Sequence, residues 1–186
     1  MRRASPPPPV TPAALEAAAL HYLERYASSV ANLRRVLMRR IERAARAGAI
    51  EREEGRARVA AVVERLCARR LVDDGAYADG RARSLSRQGR SRAAIAQRLA
   101  AKGVEAEAVE AALSSLAEAG ETDLRAALRF AKRRRLGPFR SPKERAERRE
   151  RDLAALGRAG FSYDVARAVV DAPTAAALAL RVSAEG

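Results

Sequence analysis

The side chains of this sequence that could do chemistry are overwhelmingly arginines, and arginines at these spacings bind anions. Between Arg81 and Lys102 lie Arg83, Arg87, Arg90, Arg92 and Arg98, with no acidic residue in the run. A second run from Arg125 to Arg151 includes Arg129, Lys132, Arg133, Arg134, Arg135, Arg140, Lys143, Arg145, Arg148 and Arg149, relieved only by Glu144, Glu147 and Glu150. Arg83, Arg87 and Arg90 stand at i, i+4 and i+7, as do Arg125, Arg129 and Lys132, the latter opposite Leu124 and Leu128. Like charges stacked at this spacing weaken a free helix, so a polyanionic partner explains the pattern better than helix stability does. The expected contact set is Arg81, Arg83, Arg87, Arg90, Arg92, Arg98, Lys102, Arg125, Arg129, Lys132, Arg133, Arg140 and Lys143. Backbone phosphates and an acidic protein groove are equally acceptable targets. Tyr77, Phe130 and Phe139 are the aromatic residues near these stripes that could stack on single-stranded bases.

A formal net charge of +14 extends this attraction over a long range. The preference for arginine over lysine carries less weight, because a GC-rich genome produces the same bias. Acid, base or nucleophilic catalysis needs several suitable groups close together, and the sequence does not assemble them. His21 is the single histidine and reads as a partly exposed surface or packing residue. Glu105, Glu107 and Glu110 fall in the first turns of a helix, where carboxylates favour the dipole. The lone cysteine, Cys67, excludes an internal disulfide and a cysteine-rich zinc site; set between Leu66 and Leu71, it reads as a buried packing residue. No Walker A pattern is present, and the glycines stand singly at helix ends. The expectation is a protein that is not an enzyme, with no catalytic residues, cofactor or metal. No apolar run approaches the roughly 18 residues of a membrane span, and the N-terminus lacks the apolar centre of a secretory signal. A cytoplasmic protein with no membrane partner is expected.

The elements that must carry the arginines are helices. Thr11-Pro12 is a helix start, with proline at the position where a missing N–H costs nothing. Leu15, Ala19, Tyr22, Leu23 and Tyr26 then recur at helical spacing. Ser28-Ser29 recaps a second helix carrying Leu33, Val36, Leu37 and Ile41, which Gly48 ends. A third carries Val59, Val62, Val63, Leu66 and Cys67. The same order returns: Asp73-Asp74 caps a fourth helix with Tyr77 and Leu85, Gly89 breaks it, and Ser91 caps a fifth with Ile95 and Leu99. Gly103 ends that one, and a sixth carries Val109, Leu113 and Leu116 before Gly120. A third copy runs from Thr122 through Leu124 and Leu128 to Gly137-Pro138. Ser141-Pro142-Lys143-Glu144 then forms a capping box ahead of Leu153 and Leu156. Ser162 caps the last helix, with Val165 and Val169, which ends before Pro173. No segment alternates with period two, so strands are not expected.

Ala47-Gly48-Ala49-Ile50, Lys102-Gly103-Val104 and Ala159-Gly160-Phe161 mark the repetition. Ser29 to Gly48 and Ser141 to Gly160 each span 19 residues, whereas Ser91 to Gly103 spans 12. The difference is close to two helical turns, so the apolar stripe keeps its face. Aromatic residues make up 4% of the chain and tryptophan is absent, so each unit has a thin core and must stack on its neighbours. The expected fold class is all-α: three tandem three-helix repeats forming an elongated, curved array. The repeats cover residues 12–72, 73–121 and 122–173, between a disordered or polyproline Pro-rich tail at 1–11 and a C-terminal tail at 174–186.

Leu71-Val72-Asp73-Asp74, Tyr77-Ala78-Asp79, Arg83-Ser84, Gly89-Arg90-Ser91-Arg92-Ala93-Ala94-Ile95 and Leu99-Ala100-Ala101-Lys102-Gly103-Val104 together resemble the central repeat of the RecX family. Ser29-Val30-Ala31-Asn32-Leu33-Arg34-Arg35-Val36-Leu37 is similar to that family's first repeat, and Phe161-Ser162-Tyr163-Asp164-Val165 to its third. The resemblance spans residues 15–172. It implies a modulator that binds the RecA recombinase filament on single-stranded DNA. Such a protein restrains ATP hydrolysis, filament extension and strand exchange in recombination, DNA repair and the SOS response. It implies a monomer lying in the filament groove, touching RecA and single- or double-stranded DNA. The sequence departs from the pattern in three places: Arg81 stands where an aromatic residue is expected, Gly75 and Gly80 weaken the fourth helix, and the first repeat's second helix is long. A general nucleic-acid-binding helical protein without RecA specificity is the alternative reading.

Overall fold

The computed structural model describes residues 9–184, and among them every regular element is helical. The first three helices are α1 (Pro12–Leu23), α2 (Val30–Arg46) and α3 (Arg52–Ala68). The next three are α4 (Asp74–Arg87), α5 (Arg92–Ala100) and α6 (Ala106–Glu118). After α7 (Asp123–Arg134), a single 3-10 turn at Gly137–Phe139 leads to α8 (Pro142–Arg158), α9 (Tyr163–Val170) and α10 (Ala175–Ala184). None of these helices is long and apolar enough to cross a membrane. The expected length pattern is present: α2 and α8 have 17 residues each and α5 has nine.

Local chemistry explains the boundaries. The hydroxyls of Thr11, Ser29, Ser91, Thr122 and Ser162 each accept the N–H three residues on, satisfying a donor that a helix start otherwise leaves orphaned. Asp73 does the same for Ala76 at 2.8 Å. Ser141 departs from the expected capping box, because its hydroxyl lies 2.7 Å from the Glu144 carboxylate and caps no backbone N–H.

The chain divides into two compact units, Met1–Tyr77 with Lys102–Val104, and Ala78–Ala101 with Glu105–Gly186. The central repeat is thus divided, with the first turn of α4 and the glycine phrase after α5 belonging to the first unit. In that unit Leu15, Leu33, Leu37, Ile41, Val59, Val62 and Leu66 form a core between α1, α2 and α3. α3 reaches α2 closely at Gly55, where an added Cβ would lie 2.2 Å from Ile41 Cγ2. In the second unit Leu124, Phe130, Leu136, Leu153, Leu156, Phe161 and Val169 form the core around α7, α8 and α9.

Three sequence expectations need correction. Of the expected tail at 174–186, residues 174–184 are not a tail and the last two lie outside the described residues: Thr174 caps α10, which packs on α7 and buries Leu178 and Val182. Pro173 stops α9, but the next residue restarts a helix, and burying those two side chains contributes about 1.5–3 kcal/mol each. In the opposite tail, Met1 to Pro8 lie outside the described residues, whereas Val10 is buried in the first core and its carbonyl accepts Arg58 Nη1 at 3.1 Å. Cys67 is half-buried against the same core. Burial, followed by the Asp74 carboxylate, pushes its thiol pKa up, which suits a packing role.

A lock of hydrogen bonds occurs once in each unit. Ser29 Oγ donates to the Lys102 carbonyl at 2.6 Å, while the Val30 N–H donates to Asp74 Oδ1 at 2.8 Å. In the second unit Ser91 Oγ donates to the Ala159 carbonyl at 2.9 Å and the Arg92 N–H to Asp123 Oδ1 at 2.8 Å. Both serines are fully buried. The glycines after the accepting carbonyls have φ of +77° and +87°, and a Cβ there would lie 2.5 Å from Ala31 Cβ and 2.6 Å from Ser91 Oγ. They therefore supply both a left-handed turn and room for the capped helix start. At the other corresponding positions the halves are missing. Pro12 stands where the carboxylate would be, Gly48 has open space beside it, and Pro142 has no N–H to donate.

Asp74→Ala and Asp123→Ala should each cost about 1–2 kcal/mol, because a partly buried N–H loses its charged acceptor. Urea denaturation followed by circular dichroism measures this, and values near zero would show that the lock does not stabilise the unit it lies in.

Candidate basic interaction surface

The structure divides the arginines by what their guanidinium groups touch. On α4, Arg81, Arg83 and Arg87 are exposed, and Arg83 reaches Asp79 at a distant 3.9 Å. Arg90 does not continue this stripe. α4 ends at Arg87, and the chain turns left-handed at Gly89. A Cβ on Gly89 would come within 2.9 Å of both Ala126 O and Phe130 N, so the α4 end presses on the α7 backbone and no longer residue fits. Arg90 is half-buried, with an enclosed Nε that has no hydrogen-bond partner.

On α7 the expected anion-binding stripe is largely engaged within the protein. Arg129 grips Glu121 with two hydrogen bonds, 2.5 and 2.8 Å long, and Nη1 also reaches the Ser86 carbonyl at 3.3 Å. Ser86 Oγ donates to the same Glu121 carboxylate at 2.8 Å. The Arg129 hydrogen bond holds the Glu121 carboxyl below its ordinary pKa against the opposing effect of burial, and raises that of Arg129. Arg133 donates to the Gln88 carbonyl. Arg129 and Arg133 thus satisfy carbonyls at the C-terminal end of α4, where cations are favoured. Arg125 is half-buried with an enclosed, unpartnered Nε. Lys132 alone of the three stripe residues on α7 is exposed with no partner among the described residues.

The remaining members are similarly divided. Arg92 Nη1 donates to the Leu113 carbonyl of α6 at 2.6 Å. Arg140 forms a two-bond pair with Asp152 at 2.7 Å, and the same carboxylate accepts the Gly137 N–H at 2.8 Å. Asp152 is 1% exposed. Burial opposes its ionisation most strongly, but Arg140 and the Gly137 N–H together hold its pKa below the ordinary aspartate value. This pair fixes the turn between α7 and α8. Arg98 and Lys143 are exposed without partners among the described residues, and Lys102, in the first unit, is exposed. In the α8 run, Arg145 donates to the Ala172 and Pro173 carbonyls at 2.5 and 2.8 Å. Arg149 pairs through two 2.8 Å bonds with Asp171, lowering that carboxyl's pKa.

In the second unit, Arg83 and Arg87 border a cavity of about 210 Å³ closed by Ser115, Leu116, Ala119 and Glu121. Among the described residues Arg81, Arg87 and Lys132 have no internal side-chain partner, and Arg83 has only the distant Asp79. The aromatic residues proposed for base stacking do not serve it: Phe130 is buried against Phe161, Phe139 packs on the second core, and Tyr77 is half-buried. His21 is exposed, 3.7 Å from Glu24. Among the described residues no group of three or more His, Cys, Asp or Glu side chains could hold a metal ion.

Residues 73–113 match the family model for the second three-helix domain of RecX. The chain is similar to the regulatory protein RecX of Myxococcus xanthus, with 48% identity over 167 residues, 89% of this chain and 88% of that one. It also resembles the regulatory protein RecX of Agrobacterium fabrum, with 37% identity over 101 residues, 54% and 52% of the respective chains. No solved structure matches it.

Arg129→Ala should cost about 2 kcal/mol by leaving Glu121 without its charged partner, whereas Lys132→Ala and Arg87→Ala should change stability by under about 0.5 kcal/mol. Thermal unfolding of the three variants separates engaged from free cations. Glu121, Asp152 and Asp171 all have folded pKa values below their ordinary ones. Their stabilisation is present above the unfolded carboxylate range of about 4 and declines as pH falls below it. Urea midpoints at descending pH should therefore drop below about pH 4, and less so in Asp152→Asn.

Proposed function

The chain belongs to the RecX family, and from that membership we propose that it binds the RecA recombinase filament on single-stranded DNA and restrains its ATPase, extension and strand exchange. The observation that carries this reading is the 48% identity to a curated regulatory protein over 89% of this chain and 88% of that one. The protein acts as a cytoplasmic monomer by occupying sites, without catalysing a reaction of its own. Its contact residues are drawn from the cations that the fold leaves exposed: Arg81, Arg83, Arg87, Arg98, Lys102, Lys132 and Lys143. Arg92, Arg129, Arg133 and Arg140 act mainly by holding the second unit together, and Arg90 and Arg125 are half-buried. Several weak contacts with successive protomers of a filament would reinforce one another when made together.

The test is ATP hydrolysis by RecA on single-stranded DNA, measured as the purified protein is added. A progressive fall is expected, and the triple variant Arg83→Ala/Arg87→Ala/Lys132→Ala should need about tenfold more protein for the same effect. An unchanged rate over a wide range of ratios would overturn the reading. If naked DNA is bound as tightly as RecA-coated DNA, with affinity falling steeply as salt rises, the protein is a general nucleic-acid binder instead.

A further inference from the structure

The first unit carries a cavity that the basic stripes of the second do not explain. It lies between α1 and α2, has a volume of about 290 Å³, and so falls near the lower end of pockets that hold small ligands, about 300–1,000 Å³. Its apolar surface comes from Ala18, Val36 and Leu37. One wall is aromatic. α1 ends at Leu23, and the next turn brings the Tyr26 ring to 5.2 Å from that of Tyr22, tilted by 39°. Asn32 Nδ2 donates to the Tyr22 hydroxyl at 3.0 Å, fixing that ring, whereas Tyr26 is 56% exposed. An exposed aromatic face beside a held one is a platform for a flat ring, and its exposure costs solvation that a stacked ligand would recover.

The rest of the cavity is cationic. Arg25, Arg39, Arg40 and Arg43 line it, and no carboxylate does. Of the nearest acidic residues in sequence, Glu42 is turned to Arg52, while Glu24 lies 3.7 Å from His21, which also lines the cavity. The four guanidinium groups have no partner among the described residues. Arg40 Nε is enclosed and makes no hydrogen bond, although buried donors in folded proteins are nearly always satisfied. Arg39 and Arg43 stand at i and i+4 on α2, where like charges oppose the helix. Four unopposed cations around an apolar floor form a focused positive site.

We infer that this cavity is a binding site for a nucleotide, with the base stacked on Tyr26 and Tyr22 and its phosphate held by Arg39, Arg40 and Arg43. Aromatic stacking with guanidinium contacts to phosphate is the chemistry by which proteins hold single nucleotides irrespective of base identity. The ligand is either a free nucleoside phosphate or one residue of a single strand. Neither needs RecA, so the site stands or fails independently of the regulatory function proposed above.

Isothermal titration calorimetry of the full chain, without RecA, decides it, using adenosine diphosphate, inorganic phosphate and a short single-stranded oligodeoxyadenylate as probes. Binding of adenosine diphosphate at least about tenfold tighter than phosphate assigns the site to a free nucleotide. Binding of the oligonucleotide alone assigns it to a strand. In either case Tyr26→Ala should weaken the bound ligand about tenfold, Tyr26→Phe should restore it, and Arg43→Ala should weaken it about fivefold. Arg83→Ala/Arg87→Ala should leave adenosine diphosphate binding unchanged. Circular dichroism verifies that the variants fold, which the exposure of Tyr26 and Arg43 favours. Absence of binding by both nucleotide probes, or binding that Tyr26→Ala and Arg43→Ala leave intact, would overturn the proposal.

Discussion

The constraint on which this structure depends is the hydrogen-bonding demand of a helix start. The first turn of any α-helix leaves backbone N–H groups without partners, and burying them uncompensated is costly. At α2 and α5 the fold satisfies that demand from outside the helix. An aspartate at the first position of α4 or α7 accepts one N–H, and the capping serine meanwhile donates to a carbonyl just before a left-handed glycine. A local capping problem thus becomes a long-range tie. With few aromatic residues and no tryptophan to fill large cores, directed bonds between segments have an outsized share in setting how the helices meet. The same logic explains the prolines at Pro12 and Pro142, which occupy positions where the corresponding tie is not made.

Arginine serves two purposes here, and charge alone does not distinguish them. Arg129, Arg133 and Arg145 cap carbonyls at helix ends, while Arg140 and Arg149 hold carboxylates across turns. The planar fork of guanidinium suits both tasks, since it can bind a carboxylate through two bonds and reach a carbonyl with a third donor. The cations left exposed on α4 are fewer than the sequence runs suggest, and of these, among the described residues, Arg83 alone reaches a carboxylate, that of Asp79 at 3.9 Å. Glu121 and Asp152, for their part, are already paired with Arg129 and Arg140.

The first unit adds a different chemistry. Its exposed tyrosine and unpaired arginines lie together where α1 ends early, while the rest of α1 packs into the core. The early end of α1 is what separates Tyr26 from the apolar stripe to which its spacing would assign it. A side chain that would otherwise have joined the core becomes part of a pocket wall.

Much of the architecture was legible in the sequence because it is written in local chemistry. Hydroxyl caps, glycines with positive φ and apolar residues at helical spacing located nearly every helix, and the spans from capping serine to glycine separated the short α5 from the long α2 and α8. These signals act within a few residues, so a linear reading can find them. What escaped that reading depends on residues far apart in the chain. Asp74 and Asp123 look like ordinary helix-start carboxylates until the N–H groups of Val30 and Arg92 are brought to them. Arg129 looks like one step of a charged stripe until Glu121 folds against it, and the alanine-rich stretch after Pro173 becomes α10 only because α7 offers Leu178 and Val182 a place to bury. The sequence by itself determined that the chain is helical, basic and repeated, since propensity, capping and charge are properties of neighbouring residues. Only the tertiary structure decided which arginines are engaged and which face solvent, because an ion pair forms where packing brings two groups within a few ångströms, and sequence distance does not measure that.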